Sequence, residues 1–544
     1  MQNINPVIIE LLRRRGFSDI SEINEFLASK PKKTYDPFLL PDMEAGVDLI
    51  LDAIKHKHKI CIYGDYDADG VTSVCILMEF LGYLTDNIEY YIPLRIEEGY
   101  GLNKDAVRSI HAGGAKLLIT VDCGSVSYEE VKLAKELGMD VLVTDHHSIT
   151  DVQADCLMIN PKRKDCVYPY KDLAGCGVAF KLAQAVQKKA DIPKNVLNRA
   201  LDLVALGTIA DVVPLLDENR TMVKHGMNII SSGHRPGMAA LIEGISFDRQ
   251  KLRSDQIAFG LAPHINAAGR MGDAGVAAEV MLEKDPSEIR KHVQQLIQYN
   301  RDRKNIQDKA FDECVQIVER AYLDKPILVL FMENIHEGIA GIVAGKLKEK
   351  YERPVILVTA SGENLKGTGR SIPGINLYEL LHTYEDLFFK FGGHAGACGF
   401  SMKKDNLERL TDFLEADINA RLASDPELLS IPVSAEMELE GEQITLELAQ
   451  AIDLMAPFGS SNPKPNFLLE QVEILKAAPM GDGRHARFTA MCSDGFTIEC
   501  VLFGKAQDFE ELLYGGYTVD LVGTVDWQEW RGRKRVQFTV EDIK

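Results

Sequence analysis

No run of apolar residues in this chain approaches the roughly 18 that a membrane-spanning helix needs, so no span is expected. The amino-terminal stretch "MQNINPVIIELLRRRGFSD" lacks an apolar run behind a basic start; it reads as an amphipathic helix and not as a signal peptide. The ten cysteines include no Cys-x-x-Cys pair, which removes the spacing of a zinc knuckle or a disulfide framework. Cys61, Cys75 and Cys500 lie inside apolar runs, where buried free thiols are the expected state and the cytoplasm the expected compartment. Basic charge is also short, with 61 Lys and Arg against 81 Asp and Glu and a net charge of −20. That balance argues against a surface coated for duplex DNA, although a narrow basic groove can sit on an acidic body.

At 544 residues the chain holds material for three or four domains of about 150 residues each. "KICIY", "IEYYIP", "KLLITV" and "DVLVT" read as strands, with "VTSVCILMEFLGYL", "NKDAVRSIHAGG" and "YEEVKLAKELG" as the helices between them. This rhythm predicts an α/β body with a parallel sheet covered by helices on both faces. Residues 150–310 read as mostly helical, with Asp211 presented from the apolar "ALGTIADVVPL" and a Gly/Ala-rich loop, "PHINAAGRMGDAG", carrying His264, Asn266 and Arg270. The polar stretch 290–321 has sparse, regularly spaced apolar residues and reads as a long helix joining two bodies. A second, smaller α/β unit begins near Lys325, with strands "PILVLF" and "PVILVT" around the helix "GIAGIVAGKLKEKY". In it "GTGRSIPG" reads as a turn-rich loop and "FGGHAGACGFSM" as a Gly-rich turn holding His394. Past about Ile431, five short strands with one helical insert predict a small β-barrel of the oligonucleotide-binding type. The expected division is therefore an N-terminal helical segment at 1–45, a catalytic body at 46–230, and a helical region with the connecting helix at 231–320. The second α/β body follows at 321–425 and the barrel at 431–544.

In "KICIYGDYDADGVTS", Asp65, Asp67 and Asp69 alternate directly behind the first strand. Asp122 follows "LLITV", and Asp145, His146 and His147 follow "VLVT". Each group emerges at the carboxyl end of a strand, the edge where parallel sheets bind ligands, so groups distant in sequence converge on one rim. Carboxylates this close cannot all ionise unless something positive sits among them. Asp-x-Asp-x-Asp-Gly also opens a calcium-binding EF-hand loop, but the twelfth position here is Ile76 instead of the required Glu, and a strand precedes it. Aspartates in loops are ordinarily solvated or cap a helix; three in alternation, with Asp122 and His146 on neighbouring strand ends, outweigh that reading. Carboxylate and imidazole without thiolate suit Mn²⁺ or Mg²⁺. Four or more carboxylates suit two ions about 3.5–4 Å apart, an arrangement common in phosphodiester hydrolysis. Asp122, on the central rim, is the candidate bridge. Two successive histidines at a strand end point in different directions, so one can join a metal while the other faces a phosphate. Arg270 and Arg370 are candidate phosphate clamps, and His394 lies among glycines that allow close backbone approach. Near the carboxyl end "WQEWRGRKRVQF" sets the only two tryptophans, Trp527 and Trp530, beside Arg531, Arg533, Lys534 and Arg535. Aromatic faces in a basic stripe suit a single strand; the alternative is a basic hairpin with core tryptophans.

The segments "YGDYDADGVTS", "ITVDCG", "TDHH", "ALGTIADVVPL", "INAAGRM", "GRSIPG" and "FGGHAGACGF", in this order over residues 63–400, resemble the motifs of the DHH phosphoesterase superfamily. Among its members they are most similar to the single-strand-specific exonucleases that carry a terminal barrel. The resemblance implies a two-manganese site, Mg²⁺ being able to substitute, with Asp65, Asp67, Asp69, Asp122, His146 and Asp211 as ligands and His147 beside the scissile phosphate. It implies a DHHA1 body whose Arg370, Ser371 and His394 engage the nucleotide across a cleft, with Asn266 and Arg270 matching the family pattern. It further implies 5′→3′ degradation of single-stranded DNA to mononucleotides in recombination and repair, beside a helicase and a single-strand-binding protein. One departure stands out: the family usually reads Pro-Arg before the Asn-Ala-Ala-Gly-Arg run, whereas here Pro263 is followed by His264. A phosphate contact at that position is expected to be weaker or pH-dependent. Two rival readings differ from this one. A short-oligonucleotide or cyclic-dinucleotide phosphodiesterase of the same superfamily typically lacks the barrel, and a non-catalytic single-strand-binding relative has eroded acidic positions, all of which are present here.

Overall fold

The first strand is apolar in both phases, and in the computed structural model both of its faces are buried. The structure describes residues 4–95, 97–149, 152–430 and 434–544; the side chain of Trp530, and with it that residue's expected role, lies outside the described residues. β1 (Lys59–Gly64) sends Ile60 and Ile62 into one apolar cluster and Cys61 and Tyr63 into another, as a strand covered on both sides must. β2 (Ile88–Tyr91), β3 (Ala115–Val121), β4 (Asp140–Thr144) and β5 (Leu157–Ile159) join it in parallel, in the order β2-β1-β3-β4-β5. The sequence predicts four strands here; β5, only three residues long, is too short for its pattern to register. The chain leaves β1 to one side for β2 and comes back to the other side for β3. The carboxyl ends of β1 and β3 therefore flank the point where the connections diverge, which opens a crevice in sheets of this kind.

The second body is a mixed sheet of β6 (Leu328–Met332), β7 (Val355–Ser361), β8 (Asn364–Arg370), β9 (Phe388–His394) and β10 (Ala397–Lys403). The order is β6-β7-β8-β10-β9, and only β6 and β7 run parallel. This corrects two expectations: much of "GTGRSIPG" is the end of β8, and "FGGHAGACGFSM" is the β9–β10 hairpin. Glycine hid both, because its role in them is space and not flexibility. A Cβ on Gly367 would lie 2.1 Å from the Phe400 ring, so glycine lets that ring cross the neighbouring strand.

The expected connecting helix is present as Pro286–Ala321, 36 residues long. Its Ile289, Val293 and Leu296 pack in the first body's core, and its Ala310, Cys314 and Val318 in the second's. Between these anchors it buries Asn300, Arg303 and Gln307. The expected loop "PHINAAGRMGDAG" is mostly the helix Ala262–Met271, continuous with a π-helical turn at Ile257–Leu261. Alanine is the best helix former, and Pro263 falls directly after the π-helical turn, so propensity outweighs the glycines.

The third body is β11 (Met437–Glu438), β12 (Phe467–Met480), β13 (His485–Met491), β14 (Thr497–Leu502), β15 (Thr518–Trp530) and β16 (Arg533–Ile543). Pairing of β12 with β15 closes a five-stranded barrel, with β14 and β16 parallel. The amino-terminal helices Pro6–Arg14 and Ile20–Leu27 are not a separate segment. Ile8, Leu11, Leu12, Ile23 and Phe26 pack into the same apolar cluster as the barrel's Leu448, Ile452 and Phe467. Arg15 grips both carboxylate oxygens of Glu436, at 2.6 and 2.8 Å, to fix this return. Among the described residues no helix is long and apolar enough to cross a membrane.

Candidate metal centre

The helix Ala68–Leu81 starts directly behind β1 with Asp67 as its N-cap; Asp67 Oδ1 accepts from the amides of Asp69 and Gly70 at 2.9 and 3.1 Å. The ordinary capping role thus belongs to one of the three aspartates. A Cβ on Gly70 would lie 2.4 Å from the Asp65 carbonyl oxygen, so glycine alone lets the helix start fold against Asp65. Asp69 points the other way: its carboxylate accepts from the amides of Gly175 (2.6 Å) and Cys176 (2.9 Å), the first residues of the helix Gly175–Lys189. A helix N-terminus favours the negative charge placed there. Asp122 follows β3 in left-handed backbone (φ 59°) and is buried, and Asp211 caps the carboxyl end of the helix Leu201–Ala210.

These elements gather the ligand atoms into three overlapping groups. Asp65, Asp67 and Asp122 bring one atom each within 4.8 Å of one another, as do Asp69, His146 and Asp211, and as do Asp122, His146 and His147. His146 Nε2 lies 3.1 Å from Asp122 Oδ1, 3.5 Å from Asp211 Oδ2 and 3.8 Å from Asp69 Oδ2. Asp122 therefore belongs to two of the groups and touches the third, the place expected of a bridge. Burial, and then the charge of Asp67, pushes Asp65 up to about 8; burial, then Asp69 and Asp67, does the same to Asp211. Asp69 and Asp122 are raised for the same first reason. Without added positive charge the cluster holds protons, and it gives them up when a cation takes their place. Asp65 Oδ1, Asp122 Oδ1 and both ring nitrogens of His146 are buried without a hydrogen bond. Buried polar atoms are seldom left so, and two divalent cations of the oxygen- and imidazole-binding kind would supply the missing partners. The residues fit such a pair.

His147 stands at the exposed rim of this cluster. Its side chain is 46% exposed, and Nδ1 lies 2.8 Å from Asp145 Oδ1 and 3.9 Å from Asp122 Oδ1. Burial works against a charge on His147, but the hydrogen bond and charge of Asp145 outweigh it and raise its pKa. Asp145 is itself burdened by burial yet held well below the usual range by His147 and by the Ser125 amide. Asp145, which the sequence places on the rim without a role, holds His147 by this bond. Tyr100, whose hydroxyl lies 3.4 Å from the His147 ring, gave no local signal at all.

The other expected residues are more dispersed. Asn266 Oδ1 accepts from the Ala68 amide at 2.8 Å and braces the first-motif loop. Arg270 donates to the Gly338 carbonyl of the second body, and burial lowers its pKa to about 10. Arg370 and His394 both pair with Ala397, from its two sides, so they emerge in one row on one face of the second sheet. Arg370 Nη1 donates to the Gly369 carbonyl, whereas the Ser371 hydroxyl is committed to the Ile375 carbonyl at 2.7 Å. A 370 Å³ cavity in this body is lined by residues such as Lys366, Thr368 and Lys390, and none of its lining belongs to the carboxylate cluster. In the barrel Trp527 is half-buried against the core, its Nε1 donates to Asp453 Oδ2 at 2.6 Å, and Lys534 Nζ lies 4.8 Å from its ring centre. Arg531 and Arg533 are exposed at the turn joining β15 to β16.

His264 does not face outward as a weakened phosphate contact. Its Nδ1 donates to the Gly260 carbonyl at 2.7 Å, and its Nε2 accepts from Asn300 Nδ2 at 2.9 Å. Those partners require the neutral ring with the proton on Nδ1, and burial lowers its pKa accordingly.

Three family models match in order: the DHH family N-terminal domain over residues 59–208, the DHHA1 domain over 324–420 and the RecJ OB domain over 435–542. The chain is 36% identical to the single-stranded-DNA-specific exonuclease RecJ of Bacillus subtilis over 99% of its own length and 68% of that protein. It is 35% identical to RecJ of Escherichia coli over 93% of this chain and 90% of that one. The crystal structure of Thermus thermophilus RecJ in complex with Mn²⁺ matches with a TM-score of 0.84 at 28% identity, covering 99% of this chain and 76% of that one. A structure of exonuclease RecJ bound to manganese matches with a TM-score of 0.62 at 33% identity, over 72% of this chain and 98% of that one. With all three domain types present and identity to these relatives sustained along nearly the whole length, the chain belongs to the RecJ family of DHH phosphoesterases.

Proposed function

We propose that the chain is a metal-dependent exonuclease that hydrolyses single-stranded DNA from its 5′ end to mononucleotides. The observation that carries this reading is the meeting of three overlapping three-ligand groups at Asp122, which belongs to two of them and lies 3.1 Å from His146 of the third. Asp65, Asp67 and Asp122 would hold one Mn²⁺ and Asp69, His146 and Asp211 the other, with Mg²⁺ as an alternative. Two such ions, once bound, acidify water and stabilise charge on the phosphate being cleaved. The chain's own contribution is placement. Asp69 is fixed by two amides, Asp67 by its capping bonds and Asp65 by the crowding of Gly70. His147, whose pKa the hydrogen bond and charge of Asp145 raise against burial, is partly exposed and would donate to a phosphate oxygen beside the ions. Arg370 and His394, in one row on the second sheet, would take the terminal nucleotide, and the Trp527–Arg533 edge of the barrel the strand beyond it.

The division of labour follows the expected boundaries near 46–230, 321–425 and 431–544, with the amino-terminal helices serving the barrel. The named activity of the RecJ relatives supports single-stranded DNA as substrate. A role in recombination and repair, with a helicase and a single-strand-binding protein as partners, and a cytoplasmic location complete the reading; ten free thiols accord with that compartment. The barrel disfavours the alternative of a dinucleotide phosphodiesterase. The test is digestion of 5′-labelled and 3′-labelled single strands with and without Mn²⁺. Labelled mononucleotide should appear first from the 5′ end, only with metal, and not with Asp122→Ala. Release from the 3′ end, or activity in chelator, contradicts the reading.

A further inference from the structure

Phe259 is the most exposed of the large apolar residues among the described residues, at 85%. One exposed ring needs no explanation by itself. This one sits inside a π-helical turn, Ile257–Leu261, and such turns recur at functional sites. The turn is also held in place. Ile257 and Leu261 are buried beneath it, a Cβ on Gly260 would lie 2.2 Å from the Phe247 ring, and the Gly260 carbonyl is taken by His264. Packing this tight on the inner side aims Phe259 outward. His264 in turn is fixed by Asn300, which accepts from Arg303 at 3.0 Å, so the turn is tied to the connecting helix.

The location of the turn gives it meaning. The helical stretch containing it begins at the barrel side, where Ser254 Oγ donates to the Phe458 carbonyl at 2.6 Å and Arg253 feels the charges of Asp526 and Asp453, the latter being the acceptor of Trp527. It ends at the metal centre, where Asn266 accepts from Ala68. Phe259 stands about 10 Å along this stretch from Asn266, at 1.5 Å per residue. Phe259, Pro263, Asn266 and Arg270 follow one another at helical spacing, so they share one face. We propose that Phe259 is a stacking platform for one base of the single strand, between the metal centre and the barrel. This rests on the nuclease reading above. An exposed aromatic face accepts any base, so the station adds grip without sequence preference.

The test uses the full chain and thymidylate single strands carrying 2-aminopurine at successive positions, bound in chelator so that nothing is cleaved. Stacking quenches the probe. The parent chain should quench it at one or two adjacent positions, Phe259→Tyr should keep that quenching, and Phe259→Ala and Phe259→Leu should lose it. With Mn²⁺, Phe259→Ala should raise KM for long strands by about 5- to 150-fold, the loss falling on KM and not on kcat. Quenching retained by Phe259→Ala, or Phe259→Leu matching Phe259→Tyr, overturns the stacking role. Since quenching is read without metal, it is separable from the reading beneath it: a parent chain that stacks the probe but cleaves no strand with Mn²⁺ refutes the nuclease assignment alone.

Discussion

Replacing Gly175 by alanine tests the metal centre without touching a ligand. A Cβ at this position would lie 2.6 Å from both Cβ and Oδ1 of Asp122 and 2.8 Å from its Cγ. Carbon atoms in contact rest at about 3.5–4.0 Å, so one partner must move by roughly 1 Å. Asp122 has little freedom to do so, being buried in left-handed backbone at the end of β3. If the Gly175 backbone retreats instead, it takes with it the amide that binds Asp69 Oδ2 at 2.6 Å. Either way a ligand of one group leaves its place, and metal–ligand distances tolerate only about 0.2 Å. A misplacement near 1 Å costs about 100-fold in rate, while overpacking of this kind costs about 1–3 kcal/mol of stability. Gly177→Ala is the control, because its Cβ would meet Leu173 and Met222 at 3.5–3.6 Å, an ordinary contact. Turnover of a 5′-labelled single strand in Mn²⁺ should fall about 100-fold in Gly175→Ala and stay level in Gly177→Ala, with both variants folded by circular dichroism. Parental turnover and Mn²⁺ affinity in Gly175→Ala would refute the geometric argument.

Asp122→Asn removes a carboxylate that burial and four neighbouring aspartates disfavour, so without metal it should melt no lower than the parent. The stabilisation by excess Mn²⁺, about 2.7 kcal/mol per site at a hundredfold excess over Kd, should shrink; thermal melts in chelator and in Mn²⁺ read both, and a full Mn²⁺ response in the variant contradicts the bridging role. His264 has its pKa lowered by burial, with Lys304 and Arg303 of the connecting helix adding to it and the Gly260 carbonyl opposing it. The unfolded chain takes up this proton near pH 6.5 and the folded chain only lower, so this residue's contribution weakens stability as pH falls below about 6.5. Denaturant melts of His264→Gln should show a flatter pH slope between about pH 5 and 7, and an unchanged slope rules the effect out. A chain ending at Ser430 leaves Ile8, Leu11, Leu12, Ile23 and Phe26 without their barrel partners, at about 1.5–3 kcal/mol for each side chain uncovered. It should aggregate on a sizing column, whereas residues 28–430 should not; identical elution would contradict the shared core.

The alternating strand and helix patterns carried the parallel sheet, and the placement of polar residues at strand ends carried the carboxylate rim. Both depend on local spacing. The glycine-rich stretches mislead in one direction: the end of β8 and the β9–β10 hairpin read as turns, because Gly367 makes room for Phe400 from a different strand, a contact no local pattern encodes. The internal role of His264 is not legible in the sequence, because its partners, Gly260 and Asn300, meet it only when the connecting helix packs beside it.

The sequence by itself determined which acids and histidines stand at the carboxyl ends of β1, β3 and β4, because strand period and chain order leave them nowhere else to emerge. Only the tertiary structure decided how they divide: Asp69 is drawn away from Asp65 and Asp67 by amides more than a hundred residues distant, and Asp145 holds His147 at the exposed rim while His146 is buried among the carboxylates. It also decided that the amino terminus completes the barrel, since Ile8 and Phe467 meet only when the whole chain has closed. Local spacing fixes where a side chain leaves the backbone; which partner it finds depends on elements that arrive from elsewhere in the fold.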